Sequence, residues 1–251
     1  MRKPFQGVVN IIRFNWHFYA LAIVLVGLMF IAGGFLPVSL RLYIIVLASL
    51  ITTSTFISLL VSAYVYDFSG LYTLSWLDSL AIPQAATLIN INAGFDETSS
   101  TLADKYPGNQ LLVYDFYDAE KHTEVSIERA RKAYSAYPGT MPITTTSLPF
   151  AANFADVIFL ILAAHEIRSD AERIVFFKEL HRVLKPAGKI IVTEHLRDMP
   201  NFLAYNIGFF HFMSKRKWQE TFAGAGYAIQ QEIKLTPFIT TFTLFKNGTA
   251  S

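Results

Sequence analysis

Four side chains in the second half of the chain, His165, Glu194, His195 and His211, could take a proton from an acceptor hydroxyl or ammonium. A neutral imidazole or a carboxylate does this when it lies within hydrogen-bond reach of the proton, so each is a candidate general base. Each also has a structural reading: His165 as a polar residue at a helix start, Glu194 and His195 as partners for Arg197, and His211 as an interfacial ring. Earlier in the chain, Asp115 ends the apolar run of LLVYDFYD, a position from which a carboxylate accepts hydrogen bonds from both hydroxyls of a ribose. The stretch TLININAGFDETSS, Thr87 to Ser100, has the layout of a nucleotide loop: an apolar run, a polar turn around one glycine, then residues able to open a helix. Asn92 tolerates positive φ better than most residues, and Gly94, just after Ala93, lets a ligand approach the backbone closely.

These residues need a scaffold that brings strand ends together. Strand patterns fall at Thr87 to Ile91, Gln110 to Tyr114, Asp156 to Leu162, Lys189 to Thr193, Ala228 to Lys234 and Phe238 to Phe245. Helical patterns occupy Thr98 to Lys105, Val125 to Ala136 and Ala171 to Leu184, the last with Ile174, Phe177, Leu180 and Leu184 on one face. The alternation predicts an open α/β sheet, mostly parallel, with helices on both faces. The turn at Thr236 and Pro237 is too short for a crossover, so the last two strands pair as an antiparallel hairpin. Ligands of such sheets lie beyond the carboxyl ends of the strands. That singles out Asn92 to Asp96, Asp115, Thr144 to Leu148, Leu160 to Glu166 and Glu194 to Asp198.

The stretch SLPFAANFADVIFLILAAHEIRSDAERIVFFKELHRVLKPAGKIIVTEH resembles the second half of a class I S-adenosylmethionine-dependent methyltransferase, of the methyltransferase-11-like kind. The sharpest part is RVLKPAGKIIV, where Pro186 ends a helix and Gly188 permits a tight turn into the next strand. The resemblance spans about residues 87 to 245. It implies a Rossmann-like methyltransferase sheet, S-adenosyl-L-methionine as cofactor, and in-line displacement of its methyl group by a well-aligned acceptor. It implies Asp115 on the ribose, Phe116 over the adenine, Thr144 and Thr145 at the adenine edge, and Leu160 among the strand-end residues around the cofactor. The family's first loop reads acid-x-Gly-x-Gly-x-Gly, whereas Asn90, Asn92, Gly94 and Asp96 take those places here. Asn90 lacks the charge that organises the methionine ammonium, and Asp96 is the nearby residue able to supply one. A methyltransferase-like protein that kept the fold and lost the cofactor is the alternative this loop favours.

Residues 1–66 differ in character. Phe18 to Phe35 and Leu42 to Tyr66 carry no charge, and roughly 20 apolar residues suffice to cross a bilayer core. They read as a transmembrane helical hairpin, with a cleaved leader or a buried core helix as alternatives for the first run. Arg2, Lys3 and Arg13 precede the first span and only Arg41 lies in the connector, which predicts both termini on the cytoplasmic side. Residues 67–86, with Tyr72 and Trp76, suit an interfacial linker or a plain connection to a methyltransferase-like domain at 87–251. The four basic residues of 1–66 leave 17 basic against 19 acidic residues in the remainder, a balance that gives no basic face for nucleic acid. Absence of cysteine excludes disulfides and thiolate metal sites. After the fifth strand Phe202, Leu203, Tyr205, Phe209, Phe210 and Phe212 crowd beside Lys215, Arg216 and Lys217, as suits a membrane interface with anionic lipid or a packed core helix. The expectation is a methyltransferase anchored in the lipid bilayer, acting on a hydrophobic or lipid-like acceptor at the cytoplasmic face. The alternative is a non-catalytic scaffold or binding protein.

Overall fold

The computed structural model describes residues 2–121 and 124–247. Seven strands form one sheet: β1 (Thr87–Asn92), β2 (Gln110–Asp115), β3 (Met141–Pro142), β4 (Ala155–Ile161), β5 (Leu184–His195), β6 (Tyr227–Thr236) and β7 (Ile239–Lys246). Their order is β3-β2-β1-β4-β5-β7-β6, parallel except that β7 runs against both β5 and β6. Strand β4 is a near-continuous apolar run and β5 is buried from Ile190 to His195, because both faces of these strands are covered, while the edge strand β6 exposes much of its length. Strand β5 begins earlier than its sequence pattern: Leu184 pairs with Ala155, the next four residues bulge, and the ladder resumes at Lys189.

The helices α4 (Ser99–Lys105), α5 (Val125–Ala133), α6 (Asp170–Val183), α7 (Met199–Tyr205) and α8 (Lys215–Gly224) surround the sheet. Helix α6 starts where Ser169 accepts a hydrogen bond from the Glu172 N–H, and α8 starts likewise at Ser214. One face of the sheet packs Phe176, Phe177 and Leu180 of α6 and Trp218 and Phe222 of α8 on Ile158, Leu160, Ile190, Val192 and Phe242.

The opposite face is covered by residues 67–86. They form a π-helical turn ending at Phe68 and 3₁₀ turns at Leu71–Thr73 and Ser75–Leu80. Leu74, Leu77 and Leu80 pack on Leu88, Val157, Phe159 and Ile191, so these leucines of the segment belong to the core of the sheet domain. Leu77 and Leu80, three residues apart, share one side of the second 3₁₀ turn, whereas Leu74 holds φ +55° between the two turns and Leu71 packs with Val65 and Ile239.

Two helices are long and apolar enough to cross a membrane: α2 (Trp16–Phe35), with no buried residue, and α3 (Val38–Ala63), which runs on into the π-helical turn. Before them lies α1 (Gln6–Phe14), which turns Gly7, Asn10 and Phe14 inward. Its first N–H groups, those of Gly7 and Val8, donate to the Asp67 carboxylate at 2.7 and 2.9 Å. A Cβ on Gly7 would come within 2.4 Å of the Tyr66 Cβ, so glycine sets how closely α1 approaches the chain leaving α3.

Candidate active site

A cavity of about 240 Å³ opens over the carboxyl ends of β1, β4 and β5. Its floor includes Asn90 to Ala93, Ile161, His165 and His195, and its roof is Asn10 and Phe14 of α1 together with Tyr66. A second cavity of about 90 Å³ lies between the β1 loop, Asp115 and Tyr134.

The β1 loop spends several of its side chains on its own shape. Asn90 is buried, and its amide donates to Thr98 Oγ1 at 3.0 Å and Ser99 Oγ at 2.7 Å, tying β1 to the start of α4. Asn92 Oδ1 accepts from the Gly94 N–H at 3.2 Å, closing the turn. Gly94 holds φ +95°, and a Cβ there would lie 2.9 Å from Ile127 and Tyr117. Asp96 Oδ1 accepts from the N–H groups of Thr98 and Ser99 at 2.9 and 3.0 Å and so caps α4. Asn92 Nδ2 and Asp96 Oδ2 are buried with no partner among the described residues, and both residues line the smaller cavity. An unpaired buried polar atom costs about 1–3 kcal/mol, which a polar ligand in that cavity would recover. Asp115, paired in register with Asn92, accepts from the Tyr117 N–H at 2.8 Å through Oδ1. Its Oδ2 is ion-paired with Arg131, a residue 40% exposed.

Four expected cofactor contacts lie elsewhere. Phe116 is 2% exposed and packs its ring 5.4 Å from Phe176 of α6. Leu160 is fully buried in the core; side chains alternate along β4, and Ile161 is the residue that reaches the cavity. The Thr144 hydroxyl donates to the Ser147 carbonyl within its own turn, and the Thr145 hydroxyl donates to Glu172 of α6. None of these four lines either cavity.

The expected proton acceptors do converge. His165 lies in the 3₁₀ turn Ala164–Glu166 after β4, where its backbone N–H and Nδ1–H donate to the two oxygens of Glu194 at 3.1 and 2.6 Å. Its Nε2 is 3.0 Å from Glu166 Oε1. Burial works against a charge on His165, but the Glu194 and Glu166 carboxylates outweigh it and hold the imidazole at about 10. Glu166 is buried too, yet His165 and His211 keep its carboxyl well below the usual range. His195 is fixed as the Nδ1–H tautomer: it donates to Asn201 Oδ1 at 3.0 Å, and the Asn201 amide donates to Asp198 and to the Phe238 carbonyl. The Tyr66 hydroxyl donates to His195 Nε2 at 2.8 Å, and burial pushes the ring down to about 3. His211 closes the 3₁₀ turn Asn206–His211, with Nδ1 2.8 Å from Glu124 and Nε2 3.4 Å from Glu166. Near neutral pH His165 therefore carries its proton already, Glu194 is committed to it, and His195 is a weak base.

Several lining residues were not foreseen. Glu166 closes the strand-end range Leu160 to Glu166, but no role attached to it from the sequence. Glu97, held by Arg2 at 2.5 Å and raised by its burial despite that cation, sits 95 residues from its partner. Tyr66 meets His195 across 129 residues, and no local pattern signals such a contact.

Residues 90–192 match the methyltransferase domain family. A comparison with curated proteins gave no match. Among solved structures the chain is similar to a SAM-dependent methyltransferase from Aquifex aeolicus, with TM-score 0.51 and 16% identity over 71% of this chain and 93% of that one. It is also similar to the PH0226 protein from Pyrococcus horikoshii OT3, with TM-score 0.53 and 17% identity over 71% of this chain and 90% of that one. A third likeness is to the pyocyanin biosynthetic protein PhzM, with TM-score 0.53 and 11% identity over 75% of this chain and 57% of that one. At these identities the likeness concerns the fold, and the strand order with its antiparallel C-terminal pair agrees: the chain carries the α/β fold of S-adenosylmethionine-dependent methyltransferases.

Proposed function

We propose that this protein is a membrane-anchored S-adenosylmethionine-dependent methyltransferase whose acceptor is hydrophobic or lipid-like and is met at the cytoplasmic face. The observation that carries the reading is where the two apolar helices join the rest of the chain. Phe14 and Asn15, immediately before α2, and Tyr66, directly after α3, are themselves walls of the larger cavity. An acceptor dissolved in the bilayer would meet the cavity without crossing water.

The residues present fit the cofactor. Unpaired Asn92 Nδ2 and Asp96 Oδ2 offer a donor and an acceptor beside Asp115, and Gly94 leaves the backbone approachable. When bound, S-adenosylmethionine supplies a methyl group activated by its sulfonium. This chain's part is to hold the ribose at Asp115 once Arg131 swings aside, and to exclude water with α1 and Tyr66. Phe14, Phe95 and Phe212 give the acceptor an apolar seat. Phe202, Leu203, Ile207 and Phe210 present an exposed apolar surface next to α3, suited to lie in the interface. Arg2, Lys3 and Arg13 favour a cytoplasmic N-terminus. The test is transfer of label from methyl-labelled S-adenosylmethionine by full-length protein in bilayer discs made with lipid extract. Label in the organic-soluble fraction is expected; cofactor binding without any such label would remove the lipid-like acceptor.

The ion pair of Arg131 with Asp115 favours a second reading, a methyltransferase-like binding protein whose ribose site is closed. Calorimetric titration with S-adenosylmethionine separates the two.

A further inference from the structure

The floor of the larger cavity holds three donor groups that holding a sulfonium cofactor does not use. Glu166 Oε1 is the common neighbour of two imidazoles, 3.0 Å from His165 Nε2 and 3.4 Å from His211 Nε2. One ligand atom from each of the three residues can be chosen so that all lie within 4.8 Å of one another. Two ligands of one tetrahedral cation, each about 2.0–2.2 Å from it, stand about 3.3 Å apart, so these separations already approach those of a coordination shell. The ring of His165 is oriented from behind: Glu194, fully buried, accepts its Nδ1–H at 2.6 Å and turns Nε2, whose proton a cation must displace, toward the other two donors. An outer carboxylate on the far nitrogen is the arrangement that aims metal-binding histidines.

We propose that His165 Nε2, Glu166 Oε1 and His211 Nε2 bind one divalent transition cation, with its remaining positions open to the cavity. Two nitrogens and one carboxylate oxygen suit zinc, iron(II), cobalt(II) or manganese(II) better than calcium or magnesium, which prefer all-oxygen shells. His165 comes from the turn after β4 and His211 from the turn after α7, so the cation also pins the segment that follows β5. Arg168 is the competitor. Its guanidinium lies against the His211 ring and 3.9 Å from both Glu166 and Glu124, and at 43% exposure it is free to swing outward. That the open positions receive an oxygen of the acceptor rests on the methyl-transfer reading; the binding of the cation does not.

The test uses chelator-treated full-length protein in detergent without S-adenosylmethionine, titrated with Zn²⁺ by calorimetry and with Co²⁺ by visible absorption. One cation per chain is expected, with the intense bands of four- or five-coordinate cobalt. Glu166→Gln and His211→Ala should each abolish that signal, and Glu194→Gln should weaken affinity by roughly ten- to a hundredfold. Arg168→Ala, at an exposed position, should tighten it. Metal-free melting temperature and S-adenosylmethionine affinity of the same variants separate ligand loss from misfolding, and failure of the methyltransferase reading would appear as lost cofactor binding with cation binding intact. Failure of the wild type to bind either metal, or an affinity that folded Glu166→Gln and His211→Ala both leave unchanged, overturns the site.

Discussion

His195 gives its Nδ1–H to Asn201 and receives the Tyr66 hydroxyl at Nε2, so a second proton on the ring would displace a donor in a buried place. Tyr205 packs on the same ring, and charges on His165 and His211 oppose a further cation there. The folded-state value, about 3, lies below that of an unfolded histidine, about 6.5. As pH falls the unfolded chain takes up the proton first, so this contribution to stability is whole above about 6.5 and fades toward 3, by at most about 1.4 kcal/mol per pH unit. The melting temperature of the wild type should therefore fall more steeply than that of His195→Gln between pH 6.5 and 5, narrowing the gap between them. A gap that stays constant would mean that His195 is not held neutral. At this scale the sequence was readable wherever a backbone position decides the role. Asp115, Asn92 and Gly94 stand at strand ends or turns, and those positions follow from local chemistry. Phe116 and Leu160 line neither cavity, because strand alternation and the cover of α6 decide which way a side chain faces.

Helix α1 forms part of the cavity roof and depends on Asp67, which reaches across 60 residues to accept its first N–H groups. Replacing Asp67 with Ala should cost about 0.5–2 kcal/mol, the usual loss on removing such a cap, and should speed hydrogen exchange of the Val9 to Phe14 amides relative to α6. Unchanged exchange there would show that α1 is held by other contacts. Leu77 gives a sharper test of the 67–86 segment. It is fully buried between the 3₁₀ turn and the sheet, so Leu77→Ala should lose about 2–5 kcal/mol in denaturant unfolding, whereas an interfacial linker would tolerate it. These short turns escaped the sequence because a 3₁₀ spacing of three, broken at left-handed Leu74, is neither the period of an α-helix nor that of a strand. Helix α6, by contrast, was legible to within a residue at both ends, since Ser169 and Glu172 announce its start and Pro186 follows soon after its end.

Taken as one object, the molecule places a cavity beside the points where two apolar helices join the rest of the chain, at Asn15 and Tyr66, and an exposed apolar shelf at Phe202, Leu203, Ile207 and Phe210 next to α3. Phe209 and Phe210 pack edge-on at 5.5 Å in this shelf and outside the main core. Changing both to Ser should reduce methyl transfer to a bilayer-dissolved acceptor while leaving melting temperature and cofactor affinity nearly unchanged. A joint loss of all three would make the shelf a structural element instead. Beneath these expectations lies one claim, that the β1 loop and Asp115 hold S-adenosylmethionine. Calorimetric titration of purified full-length wild type, Asp115→Ala and Arg131→Ala with S-adenosylmethionine tests it most directly. Saturable 1:1 binding by the wild type is predicted, weakened at least about tenfold in Asp115→Ala by loss of charge-assisted ribose bonds worth roughly 1.5–3 kcal/mol each. A gain of a few-fold is predicted in Arg131→Ala, because the exposed ion pair that must open is worth only about 0.2–1 kcal/mol. Absence of binding in all three folded proteins, or an affinity indifferent to Asp115, would contradict the account.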